Sequence, residues 1–392
     1  MAAIHAARRG AAVTLLERTA DGGRKILISG GGRCNVLPSE LDPARFVTDS
    51  SRHTLARLLR AWPLAEQRRF FEETLDIPLA LEPATGKLFP RSNRARDVRD
   101  GLVAEARAAG AELRFGVVVR NLEAVGGGWA VHLDRGPPLD TARVVMATGG
   151  SSVPATGSDG AGFAIAARLG HAVNATYPAL TPLVASPAVH ADLAGVSLPV
   201  SITARYGDLE AQSTGGFLFT HHGYSGPAVL DVSHVAVRAR LAGGSAEVRV
   251  RWGGLDAGFW DARLRGQSPQ AVKTVVRAEL PARLADRLVA EASVPLDRTL
   301  AQLTREERRS LVAALTDYPL PCTGDEGYKK AEVTGGGVAL GEIVPATLES
   351  RLRRGLFFCG EILDAFGPIG GYNFAWAWAT GRSAGLGAAG ER

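Results

Sequence analysis

The sequence predicts an α/β protein built on a Rossmann-like dinucleotide-binding domain that is interrupted by an insert. Two observations predict this. Near the amino terminus a helical stretch over residues 2–10 leads into a short apolar run over residues 11–18, which ends at Glu17. From about residue 331, glycine-rich turns and apolar runs of α/β type return. Helix, glycine, buried strand and terminal acid form the second half of a βαβ dinucleotide-binding unit.

Length and composition limit the class of protein. The chain has 392 residues, enough for two or three domains, and its 46% hydrophobic and 22% charged residues are ordinary for a globular protein. No apolar run approaches the roughly 20 residues that cross a bilayer, and the amino terminus has no signal-peptide core. We therefore expect a cytoplasmic protein that binds neither a membrane nor DNA.

The positive charge is carried almost entirely by arginine. The net charge is +5. Arginine in place of lysine often reflects genome composition, but a basic surface also suits an RNA substrate or a phosphate-bearing cofactor. Both a small-molecule and an RNA substrate therefore stay open.

The three cysteines argue against disulfide and dithiol chemistry. Cys34, Cys322 and Cys359 are far apart and form no CxxC pair. A disulfide framework needs more thiols than this, and a dithiol flavoenzyme needs two neighbouring cysteines. We expect three buried free thiols, and we assign no metal site.

The amino-terminal domain continues with regular α/β elements. The pattern predicts a helix over residues 94–110, a strand within residues 111–125, a strand in the segment WAVHL and a strand over residues 143–150. The last strand runs into the segment ATGGSSVPATGSDGAG, which is typical of a tight turn beside a cofactor.

The insert has a different character. Short alternating strands with Gly and Pro turns predict a small β-barrel or sandwich over residues 175–255, and helical periodicity predicts a helical subdomain over residues 256–330. The dinucleotide-binding domain then comprises residues 1–174 and 331–392. No second complete GxGxxG motif follows, so no separate nicotinamide domain is predicted.

Several segments together resemble one family. They are GRKILISGGGRCN, GKLFPRSNRARDV, ATGGSSVPATGSDGAG, GGFLFTHHGYSGPAVLDVS, AEVTGGGV and GLFFCGEILDAFGPIGGYNFAWAWATGRSAG. The combination is similar to the BaiN/RdsA (YhiN-like) family of NAD(P)/FAD-dependent oxidoreductases, and the resemblance runs from residue 2 to residue 385. It implies a flavoprotein of the two-dinucleotide-binding-domain type, with FAD as cofactor and NAD(P)H as electron donor.

The resemblance also implies a reaction. Its name-bearing members resemble a bile-acid enone reductase and a ribosomal-RNA uridine reductase that forms dihydrouridine, so we expect reduction of an activated C=C bond beside a carbonyl. Flavin-dependent reduction of uridine in ribosomal RNA is the alternative. The family pattern opens with a strand and a glycine loop that here would precede Met1, so we expect either a start codon assigned too late or an inactive truncated fragment.

The cofactor residues are predicted from strand ends, glycine loops and this resemblance. Glu17 is expected to bind the adenosine ribose, and a backbone amide and carbonyl at Val118 are expected to read the adenine edge. Small residues and an arginine in the segment SGGGR let a loop approach phosphates. The full predicted set is Glu17, Arg18, Lys25, Gly30, Gly31, Gly32, Arg33, Asn35, Val118, Thr148, Gly149, Gly150, Gly360, Glu361, Asp364, Gly370, Gly371, Tyr372 and Asn373.

The residue that delivers a proton is predicted less sharply. Reduction of a C=C bond takes a hydride from the flavin and a proton from a side chain or water. His222 and Tyr224, in the segment FTHHGYSGP, are the catalytic candidates, with His221, Lys329 and Lys330 as alternatives. A purely structural role competes at each position.

Overall fold

The computed structural model describes residues 1–390, which divide into two compact units. Unit 1 comprises residues 1–177 and the carboxyl-terminal stretch from residue 333, and unit 2 comprises residues 178–332. The domain boundaries predicted from the sequence lie after residues 174 and 330. The β-rich and helical inserts, which were predicted as separate parts, belong to the same compact unit.

The helices have the following bounds: α1 Ala2–Arg8, α2 Arg24–Ile28, α3 Arg52–Arg60, α4 Leu64–Arg69, α5 Ala95–Ala108, α6 Ala161–Arg168, α7 Pro227–Leu241, α8 Ala257–Arg263, α9 Val272–Arg277, α10 Ala282–Glu291, α11 Arg305–Thr316 and α12 Tyr372–Ala389. None of the helices in residues 1–390 combines the length and apolarity that crossing a bilayer requires.

The strands have the following bounds: β1 Thr14–Glu17, β2 Leu37–Pro38, β3 Leu79–Glu82, β4 Lys87–Pro90, β5 Glu112–Phe115, β6 Val119–Val125, β7 Gly128–Leu133, β8 Leu139–Thr141, β9 Val144–Met146, β10 Val173–Ala179, β11 Leu183–Val184, β12 Ser197–Tyr206, β13 Leu209–Phe219, β14 Gly223–Ser225, β15 Glu247–Trp252, β16 Tyr318–Pro319, β17 Gly324–Asp325, β18 Val333–Val338 and β19 Leu356–Phe358.

Unit 1 is built around parallel strands. β1 pairs in parallel with β5, and β9 pairs in parallel with β19, as two separate two-stranded sheets. Antiparallel β6, β7 and β8 form a third sheet, β2, β4 and β3 a fourth, and β10 pairs with β18. Parallel strands joined through helices are the arrangement that the amino-terminal pattern predicted.

The first and last helices of unit 1 pack against each other at close range. A Cβ atom at Gly385 would overlap the carbonyl group of Ala2, so only glycine lets the two backbones approach this far. Ile4 of α1 and Ala375 and Ala379 of α12 are fully buried in one hydrophobic cluster. The amino-terminal helix is therefore fixed by α12, which follows the last parallel strand.

Unit 2 contains an open seven-stranded sheet, in the order β16, β15, β12, β13, β14, β11, β17. The predicted small β-barrel is therefore wrong, because the two outer strands are the ends of the sheet order and are not paired with each other. The long hairpin of β12 and β13 is instead covered by α7, whose Val229, Val232 and Val235 are fully buried. Helices cover the apolar face that barrel closure would otherwise bury.

The helical part of unit 2 shares its core with the sheet. Trp260 of α8, Val276 of α9 and Leu311 of α11 belong to the same hydrophobic cluster as Trp252 of β15. The helix α11 begins with a capping box, in which Thr304 and Glu307 each accept a hydrogen bond from the backbone amide of the other residue.

Candidate cofactor site

The carboxyl ends of the parallel strands in unit 1 meet at one edge. Arg18, directly after β1, forms an ion pair with Asp159 and lies 3.5 Å from the carbonyl oxygen of Gly157, in the loop after β9. Lys25 of α2 forms an ion pair with Glu361, in the turn after β19. In open α/β sheets, ligands bind outside the carboxyl ends of the strands.

A polar cluster of four residues lies at this edge. The ammonium group of Lys25 donates to Oε2 of Glu361 at 2.7 Å and to Oγ of Ser152 at 2.5 Å. Oε1 of Glu361 accepts from the Ser152 hydroxyl and from the backbone amide of Thr334, each at 2.9 Å. Ser152 and Thr334 are fully buried. We call these four residues the Lys25–Glu361 cluster.

Two glycines show which side of this cluster is filled and which is open. A Cβ at Gly150 would overlap both Oγ1 of Thr334 and Oε1 of Glu361, so the backbone after β9 lies directly against the cluster. Gly360 has a φ of +77°, and a Cβ there would meet no heavy atom of the described residues within 4 Å. Open space therefore borders Gly360, next to Glu361.

Glu17 lies at the end of β1, as predicted. Its Oε1 accepts from the backbone amide and the hydroxyl of Thr19, both at 2.7 Å. Among the described residues, Oε2 receives no hydrogen bond. A cavity of about 150 Å³ lies beside Glu17 and is lined mainly by apolar residues, among them Leu15, Leu113 and Phe115.

The predicted glycine loop is left-handed over three residues in a row. Gly30, Gly31 and Gly32 have φ values of 55°, 69° and 84°, and all three are exposed. Arg33, which was predicted to meet a phosphate, donates to Glu82 at 3.1 Å and lies 4.0 Å from the ring centre of Phe89. Asn35 is half-buried beside the same loop.

A larger cavity of about 440 Å³ adjoins the loop. It is lined by Leu27, Gly32 and the segment Asn93, Arg94, Ala95 and Arg96. Two exposed arginines, Arg94 and Arg96, therefore border the same glycine loop.

Two predicted cofactor residues are already bonded within the chain. The backbone amide of Val118 donates to Oδ1 of Asp134 at 3.4 Å, and its carbonyl accepts from the Asp134 amide at 2.9 Å. Asp364 is 1% exposed, and its Oδ2 accepts from four donors: Thr48 Oγ1, the Asp49 amide, Ser50 Oγ and Asn174 Nδ2. These contacts favour a structural role for both residues. Glu361 is the better-placed acid because its side chain is 18% exposed, whereas Asp364 is almost fully buried.

The predicted cofactor residues at the start of α12 are bonded to other residues of the chain. The buried hydroxyl of Tyr372 accepts from Arg45 Nη1 at 2.6 Å, and burial raises the pKa of Tyr372. The side chain of Asn373 bonds both the amide and the carbonyl of Gly367 at 2.9 Å. Gly370 and Gly371 have φ values of 122° and 97°, which position this turn.

Thr148 and Gly149, two further predicted cofactor residues, follow the end of β9. Thr148 is exposed, and Gly149 has a φ of 71°.

Sequence reasoning did not identify Ser152 and Thr334 as site residues. Each lies within two residues of a glycine pair, in ATGGSS and VTGGGV. These glycines were the sequence feature that could have pointed to the two residues.

The two catalytic candidates, both in unit 2, differ in solvent exposure. His222 is exposed in the turn between β13 and β14. Tyr224 is fully buried, and its hydroxyl lies 2.8 Å from Nδ1 of His190. Burial also raises the pKa of Tyr224. These contacts favour a structural role for Tyr224.

Comparison with known proteins decides the family. The protein-family model described as "HI0933-like protein Rossmann domain" matches residues 1–387. The chain belongs to the HI0933-like family. This HI0933-like protein is an FAD-dependent oxidoreductase, and the predicted Rossmann-like fold class and family resemblance are confirmed.

Its curated relatives match over nearly their whole length. The chain is 32% identical over 379 residues to the ribosomal RNA dihydrouridine synthase of Escherichia coli, covering 96% of this chain and 91% of the relative. It is 31% identical to the 3-dehydro-bile acid delta(4,6)-reductase of Clostridium scindens, covering 99% of this chain and 96% of the relative.

One solved structure supports the same fold. The 3-ketosteroid-delta4-(5alpha)-dehydrogenase of Rhodococcus jostii superposes with a TM-score of 0.50 at 16% identity, over 100% of this chain and 94% of that chain. This similarity concerns the fold alone.

The residues at the strand edge fit FAD. Glu17 leaves one carboxylate oxygen available beside an apolar cavity, which suits an adenosine ribose. Three consecutive left-handed glycines form an exposed loop with no side chains to block the approach of a ligand, which suits phosphates. The space beside Gly360 borders a carboxylate and an ammonium group, which can bond hydroxyl and carbonyl groups.

Proposed function

We propose that this HI0933-like protein uses FAD to reduce an electron-poor C=C bond beside a carbonyl group, with NAD(P)H as the electron donor. One observation carries the proposal: relatives named for very different substrates share one bond chemistry. Dihydrouridine differs from uridine by two hydrogens across a C=C bond conjugated with a carbonyl, and a delta(4,6)-reductase of a 3-dehydro-bile acid saturates bonds conjugated with a ketone.

Unit 1 binds and orients the cofactor in this proposal. Bound FAD supplies two electrons and one of the two hydrogens. Glu17 accepts hydrogen bonds from the adenosine ribose, and the amides of Gly30, Gly31 and Gly32 contact phosphate oxygens. Glu361, held by Lys25, accepts from cofactor hydroxyl groups. We assign Asp364 no part in binding, because its side chain is almost fully buried and its Oδ2 accepts from donors of its own chain.

We propose that a side chain supplies the second hydrogen as a proton. We assign this step to an imidazole nitrogen of His222, because His222 is exposed whereas the Tyr224 hydroxyl is buried against His190. A general acid must reach the substrate atom that it protonates. His221, Lys329 and Lys330 are the alternatives.

A uridine in ribosomal RNA is the more specific substrate candidate, and it would act in the cytoplasm. The E. coli and Haemophilus influenzae relatives carry the name ribosomal RNA dihydrouridine synthase. Arg91, Arg94 and Arg96 are exposed, and two of them line the larger cavity beside the glycine loop. Arginine binds phosphate with two parallel hydrogen bonds, so these side chains suit an RNA backbone.

Anaerobic reoxidation tests the proposed reaction. The FAD-loaded protein is reduced with NADH or NADPH, and then receives either a 3-oxo-4-ene steroid or a uridine-containing ribosomal RNA fragment. Return of the oxidised flavin spectrum, with two hydrogens added to the acceptor by mass spectrometry, is expected for at least one acceptor. A protein that binds no flavin, or whose reduced flavin neither acceptor reoxidises, contradicts the proposal.

A further inference from the structure

The Lys25–Glu361 cluster contains one positive and one negative charge in contact. The two charged atoms lie 2.7 Å apart, and the side chains are 29% and 18% exposed. Salt and water screen such a pair less than an exposed surface pair. Removing Lys25 therefore leaves an unpaired negative charge that solvent screens only partly, and removing Glu361 leaves an unpaired positive charge.

The rest of the cluster fixes this pair in position. Ser152 bonds both Lys25 and Glu361, and the backbone amide of Thr334 bonds Oε1 of Glu361. The hydroxyl of Thr334 in turn accepts from the amide of Ser151 at 2.7 Å. Four segments of chain thus meet at the pair: α2, the loop after β9, β18 and the turn after β19. A network of this kind holds a charge in one place without reorganisation.

The cluster also borders open space at the edge where cofactors bind. A Cβ at Gly360 would meet no described heavy atom within 4 Å, and the cluster joins residues that follow β1, β9 and β19. We propose that Lys25 and Glu361 are an opposed pair of positioning charges, each of which shifts the reduction potential of the bound FAD in the direction opposite to the other. This inference rests on FAD binding at this edge, as in the proposed function.

The sign of each effect follows from the charge of reduced FAD. Two-electron reduction at neutral pH takes up one proton and adds one negative charge to the flavin ring system. An ammonium group nearby stabilises that charge, and a carboxylate opposes it. In the wild-type protein the two effects largely cancel.

The test is the midpoint potential of the FAD-loaded full chain, measured by anaerobic dye titration. Lys25→Met leaves the Glu361 carboxylate uncompensated, and we expect the equilibrium constant for reduction to fall at least tenfold, about 30 mV for a two-electron couple. Glu361→Gln leaves the ammonium uncompensated, and we expect a rise of the same size. The double variant is expected to return to within threefold of the wild type.

Controls separate charge from folding. Lys25→Arg keeps the charge and should keep the wild-type potential, and Lys273→Met removes a lysine from α9 in unit 2 and should change nothing. Where Lys25→Met does not fold, Lys25→Gln removes the same charge and keeps a hydrogen-bonding group. Thermal unfolding of each variant identifies loss of structure.

The outcomes distinguish this inference from the proposed function. Shifts of the same sign, or no shift in either single variant of an FAD-loaded protein, overturn the charge assignment and leave the proposed reaction standing. A wild-type protein that takes up no FAD overturns both.

Discussion

The phenolic oxygen of Tyr224 lies 2.8 Å from Nδ1 of His190 in the core of unit 2. Nε2 of the same ring lies 3.0 Å from the hydroxyl of Tyr318, which donates to Glu291 at 2.7 Å. Because the Tyr318 hydrogen goes to Glu291, His190 carries its hydrogen on Nε2 and accepts from Tyr224 at Nδ1. Burial alone would raise the pKa of Glu291, but interactions with His190, Arg287 and Tyr318 lower this pKa to about 2.

This network predicts opposite behaviour for the two catalytic candidates. Tyr224→Phe leaves a buried imidazole nitrogen without its donor, so we expect the free energy of unfolding to fall by about 1–3 kcal/mol. Turnover of the folded protein should stay within a few-fold of the wild type. His222→Ala should instead lower turnover by roughly 100-fold or more, the size of a general-acid contribution, without loss of stability.

Urea unfolding and anaerobic reoxidation rates measure the two effects separately. Tyr318→Phe is the matched control, because it disturbs the same network from its other end and should resemble Tyr224→Phe. A Tyr224→Phe protein that is fully stable but inactive would contradict the structural role.

Asp364 gives a prediction about stability. Its Oδ2 accepts from Ser50 and Asn174 at 2.7 Å each, and from Thr48 and the Asp49 amide at 3.1 Å. Asp364→Ala leaves several buried donors unpaired, so we expect a loss of about 3 kcal/mol or more in the free energy of unfolding. Urea unfolding checks it, with Asp140→Ala, at an exposed position of β8, as the control. A stable Asp364→Ala protein with weakened FAD binding would restore Asp364 as a cofactor residue.

Elements with local signals could be predicted from the sequence. Glu17 ends a parallel strand where the pattern of helix, glycine and apolar run placed it, and the glycines at 30–32 are left-handed as their composition suggested. The helix α7 was missed, because its segment PAVLDVSHVAVRARL is rich in valine and follows strands. Its packing on the β12–β13 hairpin overrides that preference.

Partners distant in sequence could not be predicted. Lys25 and Glu361 are 336 residues apart, and Asn174 reaches Asp364 across 190 residues. Whether an acid near the end of the last strand faces open space or its own chain depends on such contacts. Burial of Tyr224 likewise depends on His190, which the segment FTHHGYSGP does not contain.

Buried histidines predict a loss of stability in mild acid. Burial lowers the pKa of His5 to about 3, that of His234 to about 4, and also that of His171, which bonds Glu342 and Ser350. Below the unfolded value of about 6.5 the unfolded chain binds more protons than the folded one, so stability falls as pH falls.

For His234 we expect a loss of about 1 kcal/mol between pH 7.5 and pH 5.5. Urea unfolding at the two pH values measures the total, and His234→Leu should remove the contribution of that residue from the difference. Equal stability at both pH values would show that these side chains are not buried in neutral form.

The exposed arginines beside the larger cavity predict a salt dependence. If ribosomal RNA is the substrate, Arg91 and Arg96 neutralise phosphates, and each contact releases counterions. Arg91→Ala with Arg96→Ala should therefore weaken binding of a ribosomal RNA fragment. The slope of log affinity against log salt should become shallower by roughly 0.7–0.9 for each lost contact.

Fluorescence anisotropy over a salt series measures this slope, and the flavin spectrum shows that FAD binding is intact. Arg135→Ala removes an arginine whose side chain is 94% exposed in the β7–β8 turn, and should leave the slope unchanged. Because steroid enones carry no phosphate backbone, their reduction should be insensitive to all three substitutions. An unchanged slope in the double variant would show that RNA does not contact this surface, and it would favour a small-molecule substrate.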